Sequence, residues 1–253
     1  MNDANRQAVL WNLGGKDGVE QQSWAWITED GLAGWHVAAA ADFNRDGTKD
    51  VVWVNDTNRQ AIIWHLGGNA GSERQSWAWL AQEGLPGWDI AAASDFNQDG
   101  RPDVVWINEA SRQAVVWYLG GNGGNERQSW GWLAQQGLPG WNLAAAGDFN
   151  QDKTPDVVWI SEAGRQAVVW YLGGKGGNER QSWAWLTQEG LPGWRLSAAG
   201  DVNRDGALDV VWVNDANRQA ISWFLSGKQG VERRSWAWLS REGLSGWSIR
   251  AIL

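Results

Sequence analysis

No cysteine occurs among the 253 residues. Disulfides, thiolate metal sites and a thiol nucleophile are therefore excluded. Histidine appears twice and methionine once. Positive charge is in deficit, with 21 Lys and Arg against 29 Asp and Glu, a net charge of −8 and a pI near 4.8. That balance argues against nucleic acid and against an anionic membrane surface as partners. Apolar runs such as Val37–Ala41 and Ala61–Trp64 are far too short to cross a membrane. The opening M-N-D-A-N-R has no apolar signal region, so export would require a targeting segment outside this chain. No stretch carries sustained helical periodicity with caps.

Tryptophan is abundant: 24 residues, against four Phe and two Tyr. Its distribution follows a repeat. The stretch Asp95–Trp106, D-F-N-Q-D-G-R-P-D-V-V-W, recurs at Asp42–Trp53, Asp148–Trp159 and Asp201–Trp212, each copy 53 residues after the last. A fixed period in this range signals a repeat architecture. Five periods of 53 would take 265 residues, so the 253 present leave 12 absent, equivalent to one copy of Asp42–Trp53.

Each period contains four short runs rich in Val, Ile and Trp and bounded by Gly, Pro, Asn or Asp. In the second complete unit they are Trp88–Ser94, Asp103–Asn108, Arg112–Leu119 and Glu126–Leu133. Four strands per period, repeated radially, predict an all-β, five-bladed β-propeller. The expected single domain, 1–253, has an N-terminal half-blade at 1–33 and complete blades at 34–80, 87–133, 140–186 and 193–239. A closing strand at 246–253 is expected to make the last blade a composite of both termini. That blade would hold three strands and lack the second. It should be the weak point, open to self-association with another chain. Ala-rich strands such as the one holding Ala91–Ala93 belong at the crowded axis. Roughly four in five tryptophans are expected to pack between blades.

The nonamer D-x-N-x-D-G-x-x-D places oxygen ligands at positions 1, 3, 5 and 9 and a backbone carbonyl at 7, with Gly at 6 for a sharp turn. These positions are Asp42, Asn44, Asp46, Thr48 and Asp50 in the first copy, and Asp95, Asn97, Asp99, Arg101 and Asp103 in the second. In the third they are Asp148, Asn150, Asp152, Thr154 and Asp156, and in the fourth Asp201, Asn203, Asp205, Ala207 and Asp209. Hard oxygen donors select Ca²⁺, and four ions would cancel the formal −8. A Trp at position 12, within an apolar strand, excludes an EF-hand. The same nonamer can also close as an Asp-rich turn through Asx hydrogen bonds alone. The third copy has Lys153 where the others have Gly, so it should be the weakest site.

The segment I-A-A-A-S-D-F-N-Q-D-G-R-P-D-V-V-W resembles the FG-GAP/VCBS repeats of integrin α-chain propellers, bacterial surface proteins and certain fungal lectins. The resemblance implies a propeller whose calcium loops join the innermost and second strands of each blade, the ion being chiefly structural. It also implies an extracellular or cell-surface location. No catalytic constellation repeats, so an enzyme is not expected. The opposite rim offers Trp88, Trp141 and Trp194 together with Arg59, Arg112 and Arg165. Aromatic faces beside polar groups suit sugar rings, and repeated weak sites suit clustered glycans. A lectin-like or adhesive module is one reading, and a scaffold binding a protein partner is the other. The arginines can serve as ligand contacts or pair with a neighbouring blade's carboxylate.

Overall fold

The computed structural model describes residues 1–252, and all their regular structure is β. None of it is a helix long and apolar enough to cross a membrane. The first complete blade comprises β3 (Trp35–Ala41), β4 (Asp50–Asn55), β5 (Ala61–Gly67) and β6 (Glu73–Ala81), paired in that order. The second comprises β7 (Trp88–Ser94), β8 (Asp103–Asn108), β9 (Ala114–Gly120) and β10 (Glu126–Ala134). The third is β11 (Trp141–Gly147), β12 (Asp156–Ser161), β13 (Ala167–Gly173) and β14 (Glu179–Thr187). The fourth is β15 (Trp194–Gly200), β16 (Asp209–Asn214), β17 (Ala220–Ser226) and β18 (Glu232–Ser240). The complete blades begin at residues 35, 88, 141 and 194 and end at 81, 134, 187 and 240, and every pairing is antiparallel.

The innermost strands β3, β7, β11 and β15 neighbour one another around the axis. Their small residues, Ala38–Ala40 and its equivalents, line a narrow central channel. Second and third strands are apolar on both faces because each is covered by two neighbouring blades. Val52, Val54 and Ile63 of the first blade thus pack against Val104, Trp106 and Trp117 of the second. Four tryptophans of the second strands, Trp53, Trp106, Trp159 and Trp212, are wholly buried. Each lies tilted on a third-strand tryptophan, with ring centroids 5.1 Å apart for Trp53 and Trp64. Burying such a ring removes about 150–250 Å² from water, worth about 4–6 kcal/mol as an upper bound. Their indole N–H groups have no hydrogen-bond partner among the described residues, which costs about 1–3 kcal/mol each. Burial wins at every one of the four.

The closing blade departs from expectation. Strands β1 (Ala8–Gly14) and β2 (Glu20–Thr28) form a two-stranded sheet by themselves. The closing strand expected over 246–253 does not form, and its last residue, Leu253, lies outside the described residues. Its pairing partner would be the second strand, which the chain lacks, so no ladder holds it extended. What remains is a stub. The bridge Asn2↔Trp247 repeats the Trp35↔Asn55 pairing of a complete blade. Ser248 N–H donates to the Met1 carbonyl at 2.8 Å, and the Met1 amine returns a bond to the Ser248 carbonyl at 2.7 Å. The ring nonetheless closes. Ser197 Oγ of β15 donates to the Ile249 carbonyl at 2.7 Å, and the β3 residue Val37 touches Met1 Sδ through its N–H at 3.4 Å.

Candidate functional site

Two rims and one outer edge carry the polar chemistry. At the first rim, the loop between β3 and β4 is a hydrogen-bonded turn. Asp46 N–H donates to both Asp42 Oδ1 and Asn44 Oδ1 at 3.0 Å, and Gly47 N–H to Asp42 Oδ2 at 2.9 Å. Thr48 N–H donates to Asp46 Oδ1 at 2.8 Å. That bond, with the Asn44 amide, holds the Asp46 carboxyl below the usual range. The other three loops repeat this pattern around Asp99, Asp152 and Asp205. Gln98 reaches Thr154 Oγ1 at 3.0 Å and Gln151 reaches the Gly206 carbonyl at 3.1 Å, tying consecutive loops together. Positions 1, 3 and 5 are therefore gathered in every copy.

Position 9 points elsewhere. Asp50 is fully buried and accepts N–H bonds from Phe43, Asn44 and Leu66. Asp103, Asp156 and Asp209 likewise reach back to the third strand, accepting from Leu119, Leu172 and Leu225 at 2.9–3.1 Å. Burial raises the Asp50 carboxyl, pushes Asp103 and Asp156 up to about 7 and Asp209 to about 6, while the N–H donors pull the other way. Among the described residues, no group of three or more His, Asp or Glu side chains stands close enough to hold a metal ion. The donor set is all oxygen and suits a hard cation, but an ion using all five positions must share Asp50 with those N–H groups. Lys153 adopts φ 76°, where Gly47, Gly100 and Gly206 have 84–90°.

At the opposite rim the arginines bind carboxylates of the next blade. Arg6 meets Asp56 at 2.8 Å, Arg165 meets Asp215 at 3.0 Å, and Arg59 and Arg112 pair closely with Glu109 and Glu162. These four arginines and their equivalent Arg218 have positive φ, 53–61°, which the sequence did not announce. His36 extends the ring inward, its Nδ1 2.7 Å from Asp56 and its Nε2 3.2 Å from Asp89. His65 bonds the Gly123 carbonyl of the next blade at 2.9 Å, the place taken by Tyr118 and Tyr171 in later blades. Both histidines are thus inter-blade fasteners. Trp88, Trp141 and Trp194 are half-buried and pack into the inter-blade clusters. The arginines and tryptophans proposed as ligand contacts are thus largely engaged within the ring.

The open aromatic surface lies on the outermost strands. Trp24, Trp77, Trp130, Trp183 and Trp236 are 51–54% exposed, one per blade at equivalent positions. The other 19 of the 24 tryptophans are buried or half-buried. Each exposed tryptophan lies edge-on to a second tryptophan, as Trp77 does to Trp79 at 5.6 Å. Beside it an arginine caps the buried third-strand ring, Arg74 standing 4.5 Å over Trp64, with the same arrangement at Trp117, Trp170 and Trp223. Gln-Ser-Trp-Ala-Trp alternation shows that Trp77 and Trp79 share a face. The polar Glu-Arg-Gln-Ser lead-in is the signal that Trp77 lies at the wet end of that face.

A family model described as the FG-GAP-like repeat matches residues 42–106, 95–159 and 148–212. Comparison with curated proteins gave no match. Among solved structures, YCF48 from Cyanidioschyzon merolae is similar with a TM-score of 0.39 and 13% identity, over 88% of this chain. The chain spans 66% of that protein, just under two thirds of its length.

Proposed function

Because the chain belongs to the FG-GAP-like repeat family, we propose that its propeller is a multivalent, lectin-like module that binds glycans outside the cell or at its surface, with calcium supporting the loops. The observation that carries this reading is the set of five half-exposed tryptophans at equivalent positions on the blade edges. A sugar ring has an apolar face that stacks on an indole and a fringe of hydroxyls that bond to side chains such as Arg74 or Gln75. Each platform alone is shallow and weak. Several on one rigid ring gain affinity for clustered glycans through effective concentration. Calcium would draw on the oxygens of Asp42, Asn44 and Asp46 and the Thr48 carbonyl, and on their counterparts in the other loops. Its effect would be to fix the turn that aims β4. Catalysis forms no part of the proposal, since the titratable groups near the axis, His36, Asp56 and Asp89, are bonded to one another.

A glycan array probed with and without EDTA tests the reading. Binding to multivalent sugars at more than one site per chain supports it. A flat response across a broad array removes it and leaves a protein-binding scaffold, for which exposed tryptophans are equally apt anchors.

A further inference from the structure

The five-fold repeat makes the composite blade readable by subtraction. Met1 stands where Val54, Ile107, Ile160 and Val213 stand in complete blades, and Asn2 where Asn55 stands. The Asn2↔Trp247 bridge keeps the register of the complete blades. The two residues therefore occupy the tail of a second strand whose body is not among residues 1–253. In its place is a cleft of about 1040 Å³, bordered by β1 on one side and residues 247–252 on the other, with Val37, Val51 and Val202 among its walls.

The surroundings of the cleft are shaped for a particular occupant. In complete blades the third strand is almost wholly buried, as in β9, whereas most of β1 is only half-buried. The N–H of Leu66, Leu119, Leu172 and Leu225 each finds the carboxylate at position 9 of its own loop. Leu13, the fifth of the set, has no such carboxylate in the chain. Trp64, Trp117, Trp170 and Trp223 each lie against a second-strand tryptophan at 5.1–5.3 Å, and Trp11 lacks that neighbour. Gly71 gives an independent measure. A Cβ on Gly18, Gly124, Gly177 or Gly230 would collide with the carbonyl oxygen at position 2 of the preceding blade's loop, at 1.8–2.1 Å. A Cβ on Gly71 would meet nothing closer than Thr48 Cγ2 at 3.4 Å. The glycine that should accommodate the fifth loop faces open space.

We propose that this cleft is a strand-accepting site, and that its occupant is a segment of repeat sequence, Asp-x-Asn-x-Asp-Gly-x-x-Asp-Val-Val-Trp, supplied in addition to residues 1–253. Four copies of such a segment fill the equivalent place in this same chain, which fixes the chemistry. The ninth-position carboxylate accepts the Leu13 N–H. The two valines face the two apolar walls. The terminal tryptophan lies on Trp11 and delivers the strand to Met1. The inserted strand runs antiparallel to both β1 and residues 247–252, adding main-chain bonds on both edges in the manner of strand addition.

The test is titration of the full chain with an acetylated peptide of sequence Asp95–Trp106. The expected result is saturable 1:1 binding and a rise in melting temperature of ~5–10 °C at a hundredfold excess over Kd. The same peptide carrying Val104→Asp and Val105→Asp should not bind. A variant chain with these twelve residues joined ahead of Met1 should melt higher than the parent and no longer take up the peptide. If the peptide does not bind and the extended chain is no more stable, the proposal is overturned. It is equally overturned if light scattering finds a dimer that the peptide cannot dissociate, since a second copy then occupies the cleft.

Discussion

Arg218 Nη2 stands 3.5 Å from Asp3 Oδ2, carrying the ring of inter-blade ion pairs across the point where the two chain ends meet. The other four pairs join an arginine to a carboxylate 50 residues further on. Asp3 also accepts from Ser248 Oγ at 2.7 Å, so one carboxylate holds the last blade and the closing segment together. These arginines occupy left-handed backbone, which costs a non-glycine residue roughly 1–2 kcal/mol, while a partly exposed ion pair returns about 0–1 kcal/mol. Arg59→Gly should therefore leave chemical-denaturation stability near the parent value, and Arg59→Ala should lower it by about 1 kcal/mol. Equal losses in the two variants would show that the pair, and not the backbone, dominates.

Lys153 makes the converse case. Its φ of 76° belongs to a glycine site, and among the described residues its side chain forms no ion pair. Lys153→Gly should stabilise the fold by about 1 kcal/mol, seen as a higher denaturant midpoint at unchanged slope. An unchanged midpoint would mean that the loop carries no strain.

The buried carboxylate at position 9 predicts a pH dependence. Burial raises Asp103 to about 7, above an unfolded value near 3.9. A raised folded pKa means that the native state holds the proton more tightly. The resulting stability is complete below about pH 4 and is lost as pH rises through about 7. In EDTA, this contribution should make melting temperature fall between those limits and level off above them. Asp103→Asn, which cannot titrate, should flatten that slope. Asp103→Ala should be destabilising, because it leaves the buried Leu119 N–H without its acceptor, at about 1–3 kcal/mol, and removes further bonds from Phe96 and Asn97.

Calcium linkage separates the two ways of closing the nonamer. With ions in the loops, millimolar calcium should raise the melting temperature above its value in EDTA, and Asp99→Ala should erase more of that rise than Asp152→Ala. Identical melting curves with and without the ion would leave the Asx network as the sole support of these turns.

The exposed tryptophans predict a split between stability and binding. Trp77→Ala should shift the denaturation midpoint little, since half of the ring is already in water. Removing Trp77, Trp130 and Trp183 together should reduce binding to clustered glycans far more than threefold, as avidity collapses. A triple variant that binds like the parent would exclude this edge as the recognition surface.

Much of this architecture was legible because the repeat multiplies every local signal. Trp88–Ser94 and Asp103–Asn108 form strands at the predicted limits, since turn residues bound them on both sides. The pairing option for the arginines followed from their recurrence beside blade junctions. Other features depend on three-dimensional placement. Alternation puts Trp77 and Trp79 on one face but does not reveal where the neighbouring blade stops covering it. Asp50 reads as one of four equivalent oxygens in the nonamer. Only the third strand's position shows that its carboxylate bridges the loop backbone and Leu66. Phe43, a variable position of the same motif, is completely buried. The closing segment carries the right residues for a strand, and what it lacks is another segment's backbone.

The mutual bonds between Met1 and Ser248 join residues separated by 247 positions. During synthesis at about 5–20 residues per second, the first residues wait ~12–50 s before their partner leaves the ribosome. Throughout that interval the β1–β2 hairpin offers an uncovered apolar flank to each new blade, and all four blades that emerge have nearly the same sequence. The nascent chain must therefore defer its final contact until the last one is made, and crowded neighbouring copies can capture the waiting hairpin before its own end arrives.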